Sequence, residues 1–355
     1  MERRDMIRSG IGLAGGTLLS GCLRSLGFEK ESAWRDPPLV SDRPNAVYYP
    51  AVIEEMDMYG KSTADGLTVT LMYSFPHRFW TVTGQDKNKV VVGEDDSLHL
   101  MVSVWDTETK TVLPMNIALE ISNDDGMVTQ LSPWPMHSPS MGFHYGDNVS
   151  LPGEDTYTAT LRVGPLQTRR TGAFEGQFSD VTTATIDFQF DTRNTYYNIE
   201  IRKVDGKAGE RGSVELAMEN MPAGRAPPKS ELPGQMIGET MSGDATFITT
   251  RLDDASRFGE GTYLAISPRT PYNRIILPLM SLSAMVTRDG TTVFDNILQE
   301  TLDPELGHHY GANMENLNLK PGDTIKIMVD APPQTARHDG YETAFFEMPS
   351  MEVSI

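Results

Sequence analysis

One pentapeptide occurs twice in this chain. His144-Tyr-Gly-Asp-Asn148 returns as His309-Tyr-Gly-Ala-Asn313. A Pro-Gly turn and an alternating strand follow each. Val163-Gly-Pro-Leu-Gln-Thr-Arg-Arg170 then matches Val329-Asp-Ala-Pro-Pro-Gln-Thr-Ala-Arg337. The shared glutamine lies 23 residues after the histidine in the first copy (Gln167) and 25 in the second (Gln334). Self-similarity at this spacing restricts the chain to two like units placed together. We set them at residues 45–192 and 193–355. Residues 205–243, rich in Gly, Pro, Met and Glu, have no clean counterpart and are expected to be an insertion in the second copy.

Within each copy the apolar residues alternate with period two rather than 3.6. Leu67–Tyr73, Ser97–Trp105, Thr156–Val163, Thr183–Phe190, Tyr197–Arg202, Ala245–Thr250, Tyr263–Ser267 and Thr324–Val329 are predicted strands. Turn signals such as Asn123-Asp-Asp-Gly126 and Lys320-Pro-Gly322 separate them, and no amphipathic helix of a dozen residues is visible. The expected fold is therefore all-β: two Ig-like β-sandwich domains forming an internal pseudo-dimer. The balance of 49 acidic against 30 basic residues gives a net charge of −19, which repels phosphate backbones and argues against nucleic-acid binding. No run of about 20 apolar residues is present to span a membrane.

The chain has one cysteine, so disulfides within it are impossible and a thiolate zinc site is excluded. Its position is informative. Arg3-Arg4 precede a short, Gly-rich apolar stretch that ends Leu19-Ser-Gly-Cys22. Paired arginines before a weak apolar segment and a lipobox-like end read as a twin-arginine lipoprotein signal over residues 1–21. Cys22 would then be lipidated and residues 22–44 would be a tether. The protein is expected on the outer face of the cytoplasmic membrane.

The stretch Met136-His137-Ser-Pro-Ser-Met141-Gly-Phe-His144-Tyr-Gly-Asp-Asn148 resembles the signature of the periplasmic Fe(II)-transport and membrane lipoprotein antigen family. An earlier strand of that family carries His-Leu-Glu, where this chain has His99-Leu-Met101. The resemblance implies an Ig-like sandwich that dimerises, with a metal ion between subunits. One subunit gives two histidines and a methionine; the other gives a histidine from a late loop. Carried over residue by residue, the first copy offers His99, His144 and, at the methionine position seven residues before His144, His137. The second copy offers His338 in its late loop. Paired as a pseudo-dimer, the copies complete one site from His99, His137, His144 and His338. The reciprocal site keeps only His309, beside Tyr263, Leu302 and Thr171.

Imidazole is a general ligand for iron, copper and zinc, so one transition-metal ion is expected, Fe(II) or Cu(II) favoured and Zn(II) possible. Met101 in place of glutamate removes a hard oxygen ligand. His77, Met101, Met136 and Met141 lie near the proposed site without an assigned role, and the glycine of the repeat is read as a turn residue. The implied function is capture of the metal and delivery to a membrane iron permease. Two other classes stay open: a metalloenzyme, for which no Ser-His-Asp spacing, phosphate loop or carboxylate pair is seen, and a metal-free surface module.

Overall fold

The computed structural model describes residues 37–355 apart from 205, 218–220 and 316; the twin-arginine signal, Cys22 and most of the tether lie outside the described residues. The described residues form 23 strands and two short helical turns. The smallest sheet pairs β1 (Val52–Glu54) with β14 (Ile201–Lys203).

The first copy is a sandwich. One sheet begins β2 (Asp57–Ala64), β3 (Leu67–Ser74), β6 (Leu98–Asp106), β10 (Gly142–Val149) and β9 (Trp134–Ser138). The facing sheet runs β13 (Thr182–Phe190), β11 (Asp155–Val163), β7 (Ile117–Asn123) and β8 (Gly126–Leu131). Alternate residues meet between them: Leu98, Leu100, Val102, Phe143 and Tyr145 against Leu119, Ile121, Tyr157, Leu161, Ile186 and Phe188. The second copy repeats the plan. β15 (Gln235–Ser242), β16 (Ala245–Leu252), β17 (Thr262–Arg269) and β20 (Gly307–Met314) continue into β19 (Thr291–Asp303). The long β19 bridges both sheets, pairing β20 with its end and β18 (Ser281–Arg288) with its beginning. β21 (Thr324–Ala331) and β23 (Met351–Ser354) complete the second sheet.

The tyrosine of each pentapeptide explains part of the repeat. Tyr145 Oη accepts from the Met115 amide and donates to Leu113 O, while Tyr310 Oη does the same with Met280 and Leu277. Each buried phenol pins a crossing loop to its own sheet.

The copies are joined by exchange. β22 (Ala336–Arg337), from the second copy, lies in the first copy's sheet, parallel to β9 and antiparallel to β4 (Phe79–Thr83), with β5 (Asp86–Val90) beyond. Reciprocally, β12 (Arg169–Arg170), from the first copy, adds in parallel to β19. β3 and β6 are buried at every residue, one face against the sandwich core and the other covered by side chains from both copies. Two details depart from the sequence reading. Tyr197–Arg202 is not one strand: Asn194–Asn198 forms a helical turn and pairing starts at Ile201. Within 205–243, residues 235–242 are β15, the counterpart of β2, so the irregular stretch is shorter than expected.

Candidate metal centre

The buried face of the β3–β6–β10–β9 sheet carries the chemistry. Register places Ser74, His99 and Asn148 in one row, and Met72, Met101 and Gly146 in the next. His144 stands opposite Met136. Period two then puts His99, His144 and Met136 on the same face, away from the core residues Leu98, Leu100, Phe143 and Tyr145.

Hydrogen bonds fix which ring nitrogen is available. His99 Nδ1 lies 2.9 Å from Asn148 Oδ1, an oxygen that only accepts, so Nδ1 carries the proton. His144 Nδ1 likewise donates to Gly142 O at 3.2 Å. The Nε2 atoms of both rings are buried without a hydrogen-bond partner. Two desolvated lone pairs left open are costly unless a ligand takes them. Burial holds the His144 ring down to about 4, and it pushes His99 and His338 well below the ordinary imidazole range. At neutral pH these rings are uncharged, as a metal requires.

The third ring arrives with β22. His338 follows Arg337 directly, and its amide donates to His137 O at 3.1 Å. Its Nε2 is 3.2 Å from Met136 Sδ and its Nδ1 is 3.1 Å from His77 Nε2. His77 Nδ1 in turn lies 3.1 Å from Phe75 O and 3.0 Å from Glu54 Oε2. With Nδ1–H donating along this chain, His338 also presents its Nε2 lone pair. His77, His99 and His338 have ring nitrogens within 4.8 Å of one another, and His144 lies 5.4 Å from His338 between ring centres. Arg78 clamps the adjacent Asp339 through two bonds of 3.2 and 2.6 Å, which seats the loop. A cavity of about 60 Å³ adjoins the cluster, with Glu54, Glu55 and Asp339 among its lining groups.

Of the four histidines expected to converge, three do. His137 faces the opposite way: Nδ1 is 2.7 Å from Thr335 Oγ1 and Nε2 donates to Ile276 O at 2.8 Å. Both nitrogens are engaged, and burial depresses the ring to about 3. Met136, one residue earlier, stands where the sequence reading set His137. Gly146 also has a different role from the one expected. It is absent from the glycines of positive φ, but a Cβ there would sit 2.7 Å from His99 Nε2 and 3.1 Å from Met136 Sδ. The glycine makes room for the imidazole nitrogen and the thioether sulfur. His77, left without an assigned role by the sequence, is 6% exposed and belongs to the cluster. Its only sequence signal is the aromatic setting Phe75-Pro-His-Arg-Phe-Trp80.

The reciprocal position is filled by the protein itself. Tyr263 takes the place of His99, and its hydroxyl lies 3.0 Å from His309 Nε2. That hydroxyl occupies the space above Gly311, where a Cβ would sit 2.1 Å from it. Phe258 stacks on Tyr263 at 4.0 Å. Thr171 and Thr301 stand where the first site has His338 and Met136, with Thr171 Oγ1 bonded to Asp303 at 2.8 Å.

Residues 105–200 match the profile of the family described as Fe2+ transport protein, and residues 230–354 match a domain of unknown function, DUF7350. None of the curated proteins compared with the chain matches it. Among solved structures, FetP of uropathogenic Escherichia coli strain F11 is 19% identical over 38% of this chain and 96% of its own, with a TM-score of 0.31. A copper-bound variant of that protein is 18% identical over 38% and 97%, TM-score 0.32. A copper-bound variant of Campylobacter jejuni P19 is 16% identical over 38% and 97%, TM-score 0.31. The segment matched by the Fe2+ transport protein profile, residues 105–200, contains Met136, His144 and the first pentapeptide.

Proposed function

We propose that this chain is an exported, lipid-anchored metal-binding protein that captures a transition-metal ion through His99, Met136, His144 and His338 and hands it to a membrane permease. The carrying observation is the pair of buried, partnerless Nε2 atoms of His99 and His144, close to Met136 Sδ and to a histidine from the other copy. Three imidazoles with a thioether form a mixed donor set, and the sulfur moves the balance from iron toward copper. Capture without turnover accords with the family described for residues 105–200.

Metal content and affinity for Fe(II), Cu(II), Cu(I) and Zn(II), wild type beside His144→Ala, test the reading. The wild type should hold one ion and the variant should lose at least tenfold in affinity; equal affinity in both would overturn the assignment. Turnover assays with the loaded protein address the enzymatic alternative. The anchor rests on Cys22 behind Leu19-Ser-Gly. Cys22→Ser should release the protein from membranes, and a variant still needing detergent would refute lipidation there.

A further inference from the structure

A cluster of methionine side chains adjoins the histidines. Met72, Met101 and Met141 are buried together at 0, 2 and 4% exposure, and Met56 and Met221 pack against them. Met72 and Met101 are cross-strand neighbours, one row along the sheet from His99. Met101 stands opposite Gly146, over which His99 Nε2 and Met136 Sδ lie. Met56, Met101 and Met141 line the same cavity as His144 and His338. Met221, from the second copy, packs against the group.

Methionine is a common filler of irregular cores, and that account makes a checkable claim: the matching positions of the second copy should be filled by comparable apolar bulk. They are not. Register makes Thr250 the counterpart of Met72 and Ala265 that of Met101; Leu306, three residues before the repeat histidine, corresponds to Met141. The second copy packs this region with Leu252, Ala255, Phe258 and Leu306 instead. Met56, Met72, Met101 and Met141 belong to the copy that has the open histidines, and the copy where Tyr263 fills the site has Thr250, Ala265 and Leu306 at the places of the last three. Five packed methionine side chains offer soft, uncharged thioether donors suited to a soft monovalent cation.

We propose that Met56, Met72, Met101, Met141 and Met221 form a second metal site, selective for Cu(I), beside the histidine site, with Met56, Met101 and Met141 facing the same cavity. Thioethers carry no titrating proton, so this site keeps its affinity between neutral and acid pH.

The test uses the purified full chain carrying Cys22→Ser, so that the one thiol cannot compete. Cu(I), and Ag(I) as a redox-inert probe, are titrated against a chromophoric competitor at pH 7.5 and pH 5. Two variants are compared: Met72→Leu with Met101→Leu and Met141→Leu, and His99→Ala with His144→Ala. Met-to-Leu exchange conserves volume and should leave the fold intact. The triple leucine variant should lose at least tenfold in Cu(I) affinity at pH 5, while the double histidine variant keeps it. Unchanged affinity in the leucine variant, or loss of all Cu(I) binding in the histidine variant, overturns the proposal. Should the leucine variant fail to fold, X-ray absorption of Cu(I) on the histidine variant decides, with sulfur ligation supporting the site and nitrogen or oxygen ligation refuting it. Failure of the histidine site alone would show in the Cu(II) titration and leave this result untouched.

Discussion

Adjacent residues on a strand face opposite ways, so Met136 and His137 cannot both serve one site. Both are credible ligands, and the sequence offers no cue to choose between them. β10 is buried on both faces over Phe143–Gly146, so alternation of polar and apolar residues is lost where it was needed. Only the pairing of Met136 with His144 settles the face. The two histidines should therefore behave differently when removed. His137→Ala strips partners from Thr335 Oγ1 and the Ile276 carbonyl and leaves a cavity, at a cost of about 2–4 kcal/mol in denaturant unfolding. Metal stoichiometry of the folded variant should stay at one. A stable His137→Ala variant that binds no metal would return His137 to the ligand set. His309 permits a cleaner test of burial. It is held down to about 4 by desolvation, against about 6.5 in the unfolded chain. Between those values the unfolded state binds the extra proton. Stability from this ring is thus complete above pH 6.5 and is lost as pH falls toward 4, at about 1.4 kcal/mol per unit. In His309→Gln the drop in urea midpoint from pH 7 to pH 4.5 should shrink; an unchanged drop would show that other groups govern the acid limb.

Most strands are legible as alternation, because each sandwich face needs period two, and the repeated Pro-x-Gln-Thr stretch precedes the exchanged segments. What alternation cannot show is that β22 leaves its own copy to join β9 and β4. That two-residue strand is too short to have a pattern of its own; its place is set by the edges waiting for it in the other half. It brings His338 to the site and also holds the β4–β5 hairpin to the sheet through the Arg337–Trp80 pair. Arg337→Pro, which removes an amide from this ladder, should expose Trp80 and its neighbours to faster hydrogen exchange while β3 and β6 stay protected. Metal affinity should fall at least tenfold with it. Normal affinity together with a released hairpin would show that His338 is positioned by the Arg78–Asp339 pair alone.

For the whole molecule the duplication predicts one ion at the interface between copies rather than two. His309→Ala should leave binding of Cu(II) at one per chain, since Tyr263 already blocks that position; a second equivalent in the wild type that His309→Ala abolishes would show the plugged site to be open. The asymmetry itself follows from the linkage of the copies in one chain. In a dimer of identical subunits every substitution is copied into both sites, and neither can change alone. Here Tyr263, Thr171 and Thr301 have altered one site while His99, His338 and Met136 persist in the other. The exchange of β12 and β22 has a further consequence. Because both ligand-bearing halves are covalently joined, closing the site is a unimolecular event whose effective concentration is set by the chain, not by how much protein is present. Metal affinity should therefore be the same at nanomolar and micromolar protein, and dilution that would dissociate a two-chain site should release nothing.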